Sequence, residues 1–285
     1  MEENKTAKGN HPPFSVLMSV YKNDNPEWLR EAVESVSVQQ TVRPDEVLLV
    51  IDGPVPDSLR LEILQLEREI SSVRVAWQAE NRGLGLALRK GMELVSHELV
   101  ARMDSDDISL PDRFEKQLRT FDEDPTLNIV GTQISEFIGE PGNIVGKREV
   151  PCSNEEILTW LRGRCPLNHV SVMALRSNIL SVGNYIDWHF NEDYYLWIRM
   201  ALAGCRFANL PDVLVNVRVG KEMYSRRGGW KYFKSEEGLQ RYMLNHQIIG
   251  LPRYIYNTLG RFVIQVVMPN SIRGWIFRKL FRKQS

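Results

Sequence analysis

The chain has 285 residues, of which 43% are hydrophobic and 25% charged, and its 36 basic and 36 acidic side chains balance to a net charge of zero. A chain of this size and composition can bury a full core, which is typical of a globular protein with one large domain or a domain plus an appendage. Its three cysteines are too few and too widely spaced for a disulfide framework or a zinc site, which favours a reducing cytosol.

The first half of the chain alternates short apolar runs with amphipathic stretches. Its polar start lacks the apolar segment of a secretory signal, and we expect a disordered tail over 1–12. Four apolar runs have the length of buried strands: 14–20, 46–51, 73–77 and 98–103. Helical patterns follow the first three: 27–38, 57–70 and 83–95. This alternation predicts an α/β fold with a mostly parallel, doubly wound sheet and a ligand site at the carboxyl edge of its strands.

The second half of the chain alternates less regularly. Helices are predicted over 112–121, 153–163 and 192–204, the second with a capping box from Ser153 to Glu156. Strands are predicted over 128–137, 169–175 and 213–219, with a loop or small hairpin over 139–152. Residues beyond about 220 have a helical pattern and differ in character from the residues before them. We therefore divide the chain into a tail (1–12), a main domain (13–220) and a helical extension (221–285).

Three carboxylates, those of Asp104, Asp106 and Asp107, follow the fourth predicted strand at the expected ligand edge. Clustered carboxylates repel one another unless a cation compensates their charge. Oxygen ligands of this kind suit Mg²⁺ or Mn²⁺. The alternative is that Asp107, with Ser105, caps a turn before the next helix. Because the cluster ends a buried strand, we favour the metal-binding interpretation.

Four segments carry a family resemblance when they are taken together: FSVLMSVYK (14–22), VLLVIDG (47–53), NRGLGLALRKGMELVSHELVARMDSDD (81–107) and NEDYYLWIRM (191–200). In this order and spacing they resemble family 2 glycosyltransferases with the GT-A fold, over about residues 13–220. The bacterial enzymes that build capsule, exopolysaccharide or O-antigen repeats are the most similar. The resemblance implies an inverting, metal-dependent transfer of a sugar from a UDP- or dTDP-sugar to an acceptor hydroxyl.

The resemblance also implies which residues bind the donor: Val20, Tyr21, Asp52, Asn81, Gly83, Asp104 and Asp106. Asp52 would accept the N3–H of uracil or thymine, which an ionised carboxylate can do. Its alternative role is that of a turn residue. Asp104 would contact the ribose or donor sugar, and Asp106 would ligate the metal. Many relatives have two consecutive acids at the end of the second strand, where this chain has Ile51 and Asp52.

On the acceptor side, Glu192 and Asp193 match the acidic pair of the family, and Asp193 is implied as the general base that takes the proton of the attacking hydroxyl. The alternative is that the helix dipole favours acids at this position. The other acceptor or phosphate residues implied are Glu192, His169, Arg199 and Arg226. A lone histidine is usually structural, and Trp197 in the same helix is expected in the core.

The carboxyl-terminal segment predicts an anionic partner. Residues 238–285 contain eight Lys or Arg and no Asp or Glu. Over 253–283, aromatic and aliphatic residues interleave with arginines, but no apolar run approaches the ~20 residues that span a bilayer. We expect an interfacial helix on anionic lipid at the cytoplasmic face of the inner membrane, which would suit a polyprenyl-linked acceptor. The alternative is a helix packed onto the body; no nucleic-acid motif accompanies the charge.

The segment after the first strand also argues against two other classes of enzyme. A haloacid dehalogenase-type enzyme needs an Asp pair after the first strand, and a nucleotidyltransferase needs a glycine-rich basic loop there. The segment YKNDNP (21–26) supplies neither. A non-catalytic subunit that binds a nucleotide-sugar is the alternative from another class, and the presence of both acidic motifs argues against it.

Overall fold

The computed structural model describes residues 11–220 and 228–268. The strands are β1 (Phe14–Val20), β2 (Glu46–Ile51), β3 (Val73–Trp77), β4 (Leu99–Met103), β5 (Ile108–Ser109), β6 (Ile129–Phe137), β7 (Ile144–Arg148), β8 (Met173–Leu175) and β9 (Phe207–Arg218). The α-helices are α1 (Pro26–Val36), α2 (Asp57–Glu69), α3 (Leu84–Leu94), α4 (Arg113–Glu123), α5 (Asn154–Leu161), α6 (Arg176–Ser181), α7 (Glu192–Leu202), α8 (Trp230–Asn245) and α9 (Leu251–Phe262). Most of the expected tail, and the basic segment beyond residue 268, lie outside the described residues.

The central sheet has the order β3-β2-β1-β4-β8-β6-β9-β5, and β7 pairs with β6 as a hairpin. The predicted α/β fold is confirmed, and β1 to β4 are parallel as expected. Beyond β4 the sheet is mixed: β8 runs antiparallel to both β4 and β6, and β9 is parallel to β6. The three-residue β8 lies between β4 and β6, and strand alternation alone does not predict this order.

Several helix ends have the signals expected from the sequence. The Asn25 side chain accepts hydrogen bonds from the backbone N–H groups of Glu27 and Trp28, and Pro26 occupies the first turn of α1. The capping box of α5 is formed, because Ser153 and Glu156 bind each other's backbone N–H. These caps satisfy N–H groups that have no partner within the helix.

Two predicted strands are wrong in their bounds. The segment 169–175 begins as a 3₁₀ turn (His169–Ser171), and only its last three residues form β8. The last strand begins at Phe207 instead of residue 213, because the Pro211 that interrupts its apolar pattern is accommodated by register shifts against β6. The short β5 and α6 were not predicted.

Two cores lie on the two faces of the sheet. Phe14, Val16 and Met18 of β1 face the core that includes residues of α1, α2 and α4. The other core includes residues of α3 and α7, and Leu239 and Met243 of α8 are fully buried in it. The extension therefore begins with a helix that is part of the main body. No helix among residues 11–220 and 228–268 combines the length and apolar character needed to cross a bilayer.

Candidate functional site

The carboxyl ends of β1, β2 and β4 meet at one edge of the sheet. Val20 pairs with Ile51 across β1 and β2, and Met18 pairs with Met103 across β1 and β4. The residues that follow these ends are those implied for the donor: Tyr21, Asp52 and Asp104. Val20 is fully buried and Tyr21 is half-exposed at this edge. The sheet topology thus brings the residues that were predicted for the donor to one edge of the sheet.

The acidic cluster is compact. Carboxylate oxygens of Asp104, Asp106 and Asp107 lie within 4.8 Å of one another. Ligand oxygens on opposite sides of Mg²⁺, at 2.0–2.1 Å each, are about 4.2 Å apart, so this donor set fits a divalent cation. Asp107 is buried and accepts a hydrogen bond from the Arg218 backbone N–H at 2.8 Å. Asp104 and Asp106 are more accessible and are the better placed to meet a ligand.

The electrostatics of the cluster follow from burial and repulsion. Burial, together with the charges of Asp104 and Asp24, raises the pKa of Asp106 to about 7. Burial and the charges of Asp106 and Asp104 also raise the pKa of Asp107 well above its ordinary value. Without a cation, Asp106 and Asp107 therefore bind protons more readily than ordinary aspartates do, and a bound cation would oppose this protonation.

Two residues of this site were not predicted. Asp24 accepts hydrogen bonds from the Tyr21 N–H at 3.0 Å and the Ser105 hydroxyl at 2.8 Å, and burial raises its pKa to about 6. Arg102, only 5% exposed, forms an ion pair with Asp104. Both had a signal: Asp24 follows the end of β1 at the ligand edge, and Arg102 is a charged residue within an apolar strand.

Asp52 has a structural role that the sequence did not predict. Its two carboxylate oxygens accept the backbone N–H groups of Arg82 at 2.8 Å and Gly83 at 2.9 Å. The Asn81 side chain donates to the Asp52 carbonyl oxygen at 3.0 Å. The predicted N-x-G segment is therefore held at the end of β2 by Asp52, which is 2% exposed. Contact of Asp52 with the nucleotide base stays a prediction.

Gly53 allows this close approach, and its replacement by alanine is a first testable change. The φ angle of Gly53 is +85°, and a Cβ atom there would lie 2.4 Å from the backbone nitrogen of Asn81. Gly139 is a matched control, with φ +70° and no atom within 4 Å of its Cβ position. We expect Gly139→Ala to cost about 1 kcal/mol of unfolding free energy and Gly53→Ala roughly 2–4 kcal/mol. Urea unfolding measures both, and equal losses would contradict the contact.

Glu192 and Asp193 form the first turn of α7, and both are half-buried. Burial and the charge of Asp193 raise the pKa of Glu192 to about 7, with a smaller contribution from Asp104. A Cβ atom at Gly85 of α3 would lie 3.4 Å from the Glu192 Cβ, so the start of α7 packs against the start of α3. The acidic pair thus lies close to the segment 81–83, at the edge of the sheet where the residues predicted for the donor meet.

Asp193 has partners of its own. The Cys165 thiol donates to its Oδ2 atom at 3.6 Å, and burial raises the pKa of Asp193 above the ordinary value for an aspartate. Burial likewise raises the pKa of the Cys165 thiol, which therefore stays protonated. A carboxylate with a raised pKa in a half-buried position can accept a proton from a hydroxyl.

Two other residues predicted for the acceptor or phosphate, Arg199 and His169, have partners within the protein. Arg199 donates to the carbonyl oxygens of Val182 at 2.5 Å and Asn184 at 2.7 Å and is 8% exposed, so it supports the loop that holds these two residues. The His169 Nε2 lies 2.9 Å from the Tyr185 hydroxyl, and burial lowers the pKa of His169 well below its ordinary value.

The His169 ring packs edge-on against Trp197, which is in the core as expected, and a role of His169 toward the acceptor stays a prediction. Arg218, at the end of β9, is held by the carbonyl oxygens of Asp106 at 3.1 Å and Gly139 at 2.8 Å and by the Glu31 carboxylate at 2.7 Å. Arg226 lies outside the described residues.

Comparison with known proteins gives one family. The family model described as glycosyl transferase family 2 matches residues 15–182. The amylovoran biosynthesis glycosyltransferase AmsE of Erwinia amylovora is 40% identical over 93% of this chain and 98% of its own. The Escherichia coli UDP-Gal:alpha-D-GlcNAc-diphosphoundecaprenol beta-1,3-galactosyltransferase is 36% identical over 95% of this chain and 98% of its own.

A solved structure has the same fold. The S. aureus protein TarS, residues 1–349, in complex with UDP-GlcNAc, aligns with a TM-score of 0.65 at 15% identity, over 88% of this chain and 72% of TarS. At this identity the likeness concerns the fold, which is the GT-A fold expected from the four segments. Sequence and fold agree, and the chain belongs to glycosyl transferase family 2.

Proposed function

We propose that this chain is an inverting, metal-dependent glycosyltransferase that uses a UDP- or dTDP-sugar. The observation that carries the proposal is the packing of the start of α7, which holds Glu192 and Asp193, against the start of α3 at Gly85. The start of α3 directly follows the segment 81–83, which Asp52 holds at the carboxyl edge of the sheet. A donor bound at the acidic cluster would therefore lie beside the implied base, Asp193. This is the geometry that direct transfer requires.

The donor side is supported by the sheet edge and the acidic cluster. We assign Val20 and Tyr21 to the base pocket, Asp104 to the ribose or sugar, and Asp106 to the metal. When bound, Mg²⁺ or Mn²⁺ would stabilise the negative charge that grows on the leaving nucleoside diphosphate. Arg102 orients Asp104 through their ion pair. The segment 81–83, whose Asn81 and Gly83 we also assign to the donor, is held at the end of β2 by Asp52.

The acceptor side is supported by Asp193. Its carboxylate would take the hydroxyl proton as the acceptor oxygen bonds to the anomeric carbon and the bond from that carbon to the donor phosphate oxygen breaks. The products are the new glycoside, the nucleoside diphosphate and a protonated Asp193. A single displacement of this kind inverts the anomeric carbon, by the logic that applies to inverting glycosidases. The raised pKa of Asp193 suits a general base.

The proposed acceptor is a lipid-linked oligosaccharide in bacterial surface polysaccharide synthesis. The name of the Escherichia coli relative specifies a diphosphoundecaprenol acceptor. In this chain, α9 and the turn after it expose an apolar stripe spaced every four residues: Leu251, Ile255, Leu259, Val263 and Val267. The basic segment follows at once in the sequence. We propose that residues 253–283 contact anionic lipid at the cytoplasmic face of the inner membrane, with 13–220 as the GT-A domain.

Release of nucleoside diphosphate tests the proposal. Wild-type protein would be given a panel of UDP- and dTDP-sugars with Mn²⁺ or Mg²⁺ and membrane lipid extract, alongside Asp106→Ala and Asp193→Asn. We expect metal-dependent release from one donor and its loss in both variants. Donor binding without release would support the non-catalytic alternative, and no binding to any donor would refute the assignment.

A further inference from the structure

A cavity of about 420 Å³ lies between the start of α7 and the carboxyl-terminal helices. Its walls come from the start of α7, from residues 163–165, and from α8, α9 and the turn that follows α9. Asp193 lines this cavity, whereas Glu192 does not. The Glu192 side chain instead packs beside Gly85 and is influenced by Asp104. The cavity therefore reaches Asp193 and not Glu192.

The charged groups in the cavity wall are suited to an anion. Arginines outnumber carboxylates among the described residues that line it, and these groups are Arg148, Arg164, Arg261, Asp193 and Glu236. Arg261 forms an ion pair with Glu236 at 2.5 Å and donates to the Gly163 carbonyl oxygen at 2.7 Å, which ties α9 to the main body. Arg148 lies near Asp193, because it donates to the carbonyl oxygen of Cys165 at 3.2 Å and the Cys165 thiol donates to Asp193 at 3.6 Å. Guanidinium groups are the preferred partners of phosphate oxygens.

The mouth of the cavity is apolar and exposed. Phe190 and Tyr256, which line the cavity, are 53% and 74% exposed. Tyr256 is adjacent in α9 to Ile255 of the exposed stripe, while Gly260 and Arg261 of the same helix face the cavity. One helix thus presents a charged pocket on one side and an aliphatic surface on the other. A ligand with a polar head and a hydrocarbon chain matches this arrangement.

We propose that the cavity binds the acceptor as a sugar diphosphate attached to a lipid. The acceptor hydroxyl lies at Asp193, the diphosphate is bound by Arg148 and Arg164, and the lipid leaves past Tyr256 onto the stripe of α9. The inference rests on the proposed function and adds to it the place where the acceptor binds and the residues that bind its diphosphate. The carboxyl-terminal helices α8 and α9 would then form part of the acceptor site and would not be a separate appendage.

Binding of undecyl diphosphate, without a sugar, tests the proposal independently of turnover. The full chain would be titrated calorimetrically with this probe below its micelle concentration, with and without saturating UDP and Mn²⁺. We expect binding at one site per chain that UDP does not displace. Complete displacement by UDP would place the probe in the donor site and refute the proposal, as would the absence of binding. Equal affinity for neutral undecyl glucoside would also refute recognition of the diphosphate.

Two variants with matched controls locate the site. A Cβ atom at Gly260 would meet no atom within 4 Å, so Gly260→Leu can fill the cavity without a clash and should favour the helix. We expect Gly260→Leu to weaken probe binding at least tenfold and Gly260→Ala to change it little. Arg164 stacks on the Trp160 ring at 4.3 Å, and we expect about tenfold weaker binding in Arg164→Gln, with no change in Arg119→Gln, whose side chain is 63% exposed on α4.

UDP titration of every variant separates the two hypotheses. Retained UDP binding shows that the fold and donor site are intact, so unchanged probe binding in both Gly260→Leu and Arg164→Gln would refute the acceptor cavity alone. Absence of UDP and UDP-sugar binding in the wild-type protein would instead count against the proposed function.

Discussion

Asp193→Asn is expected to lower the rate of sugar transfer by about 10²–10⁴-fold, the usual contribution of a general base, while donor affinity stays unchanged. The amide keeps the shape of the side chain but cannot take the hydroxyl proton. Glu192 faces the donor edge, so Glu192→Gln should retain far more of the transfer rate. Steady-state kinetics for transfer and calorimetry for the donor measure the two effects.

The pH dependence gives a second readout of the same base. Asp193 must be deprotonated to act, and burial raises its pKa, so transfer should decline on the acid side at a higher pH than an ordinary aspartate would give. The residual activity of Asp193→Asn should lack this decline. A larger loss in Glu192→Gln than in Asp193→Asn would reassign the base, because adjacent carboxylates at the start of one helix are hard to separate by sequence.

The sequence could predict that the carboxyl ends of β1, β2 and β4 meet at one edge because the relevant information is local. A buried strand followed by acids, as at Met103 and Asp104, predicts a site once the strands are parallel, since parallel strands place their carboxyl ends together. The capping box at Ser153 depends on four consecutive residues and was likewise confirmed. These signals do not require knowledge of how distant segments pack.

The features that sequence reasoning missed depend on contacts between distant segments. The carboxylate of Asp52 binds backbone N–H groups about 30 residues away, and the periodicity of neither segment predicts that they meet. The cavity beside Asp193 is formed by helices that follow it by about 40 to 70 residues. Arg199 lies in the helix that begins with the acidic pair, a position that suits a ligand contact, yet its guanidinium donates to backbone carbonyl oxygens. Side-chain direction within a helix decides such cases, and it is set by packing.

Asp106→Asn is expected to separate the function of the acidic cluster from its cost to stability. Loss of the metal ligand should reduce transfer by at least about 10²-fold and remove the stabilisation of the protein by Mn²⁺. Without metal, the same change should stabilise the fold, since it removes one of several mutually repelling, partly buried carboxylates. The control is Asp122→Asn, at an exposed position of α4 away from the cluster.

The sign of the stability effect follows from proton binding. The pKa of Asp106 is raised from 3.8 to about 7 in the folded protein, so between these values the folded state binds more protons than the unfolded state. The wild-type protein without metal should therefore lose stability relative to Asp106→Asn as pH rises from about 4 to 7, by about 1–2 kcal/mol once solvent screening is allowed for.

Urea unfolding at pH 4.5, 6 and 8, in chelator and in Mn²⁺, measures this difference. In chelator the advantage of Asp106→Asn should be small at pH 4.5 and largest at pH 8; in Mn²⁺ at pH 8 the wild-type protein should be the more stable. If the unfolding free energies of the two proteins in chelator differed by the same amount at every pH, Asp106 would experience no repulsion. The cluster would then need no cation to hold its carboxylates together. A protein that is destabilised by repelling carboxylates gains most stability from a ligand that balances their charge. The need for a metal is therefore linked to the pH at which the donor binds.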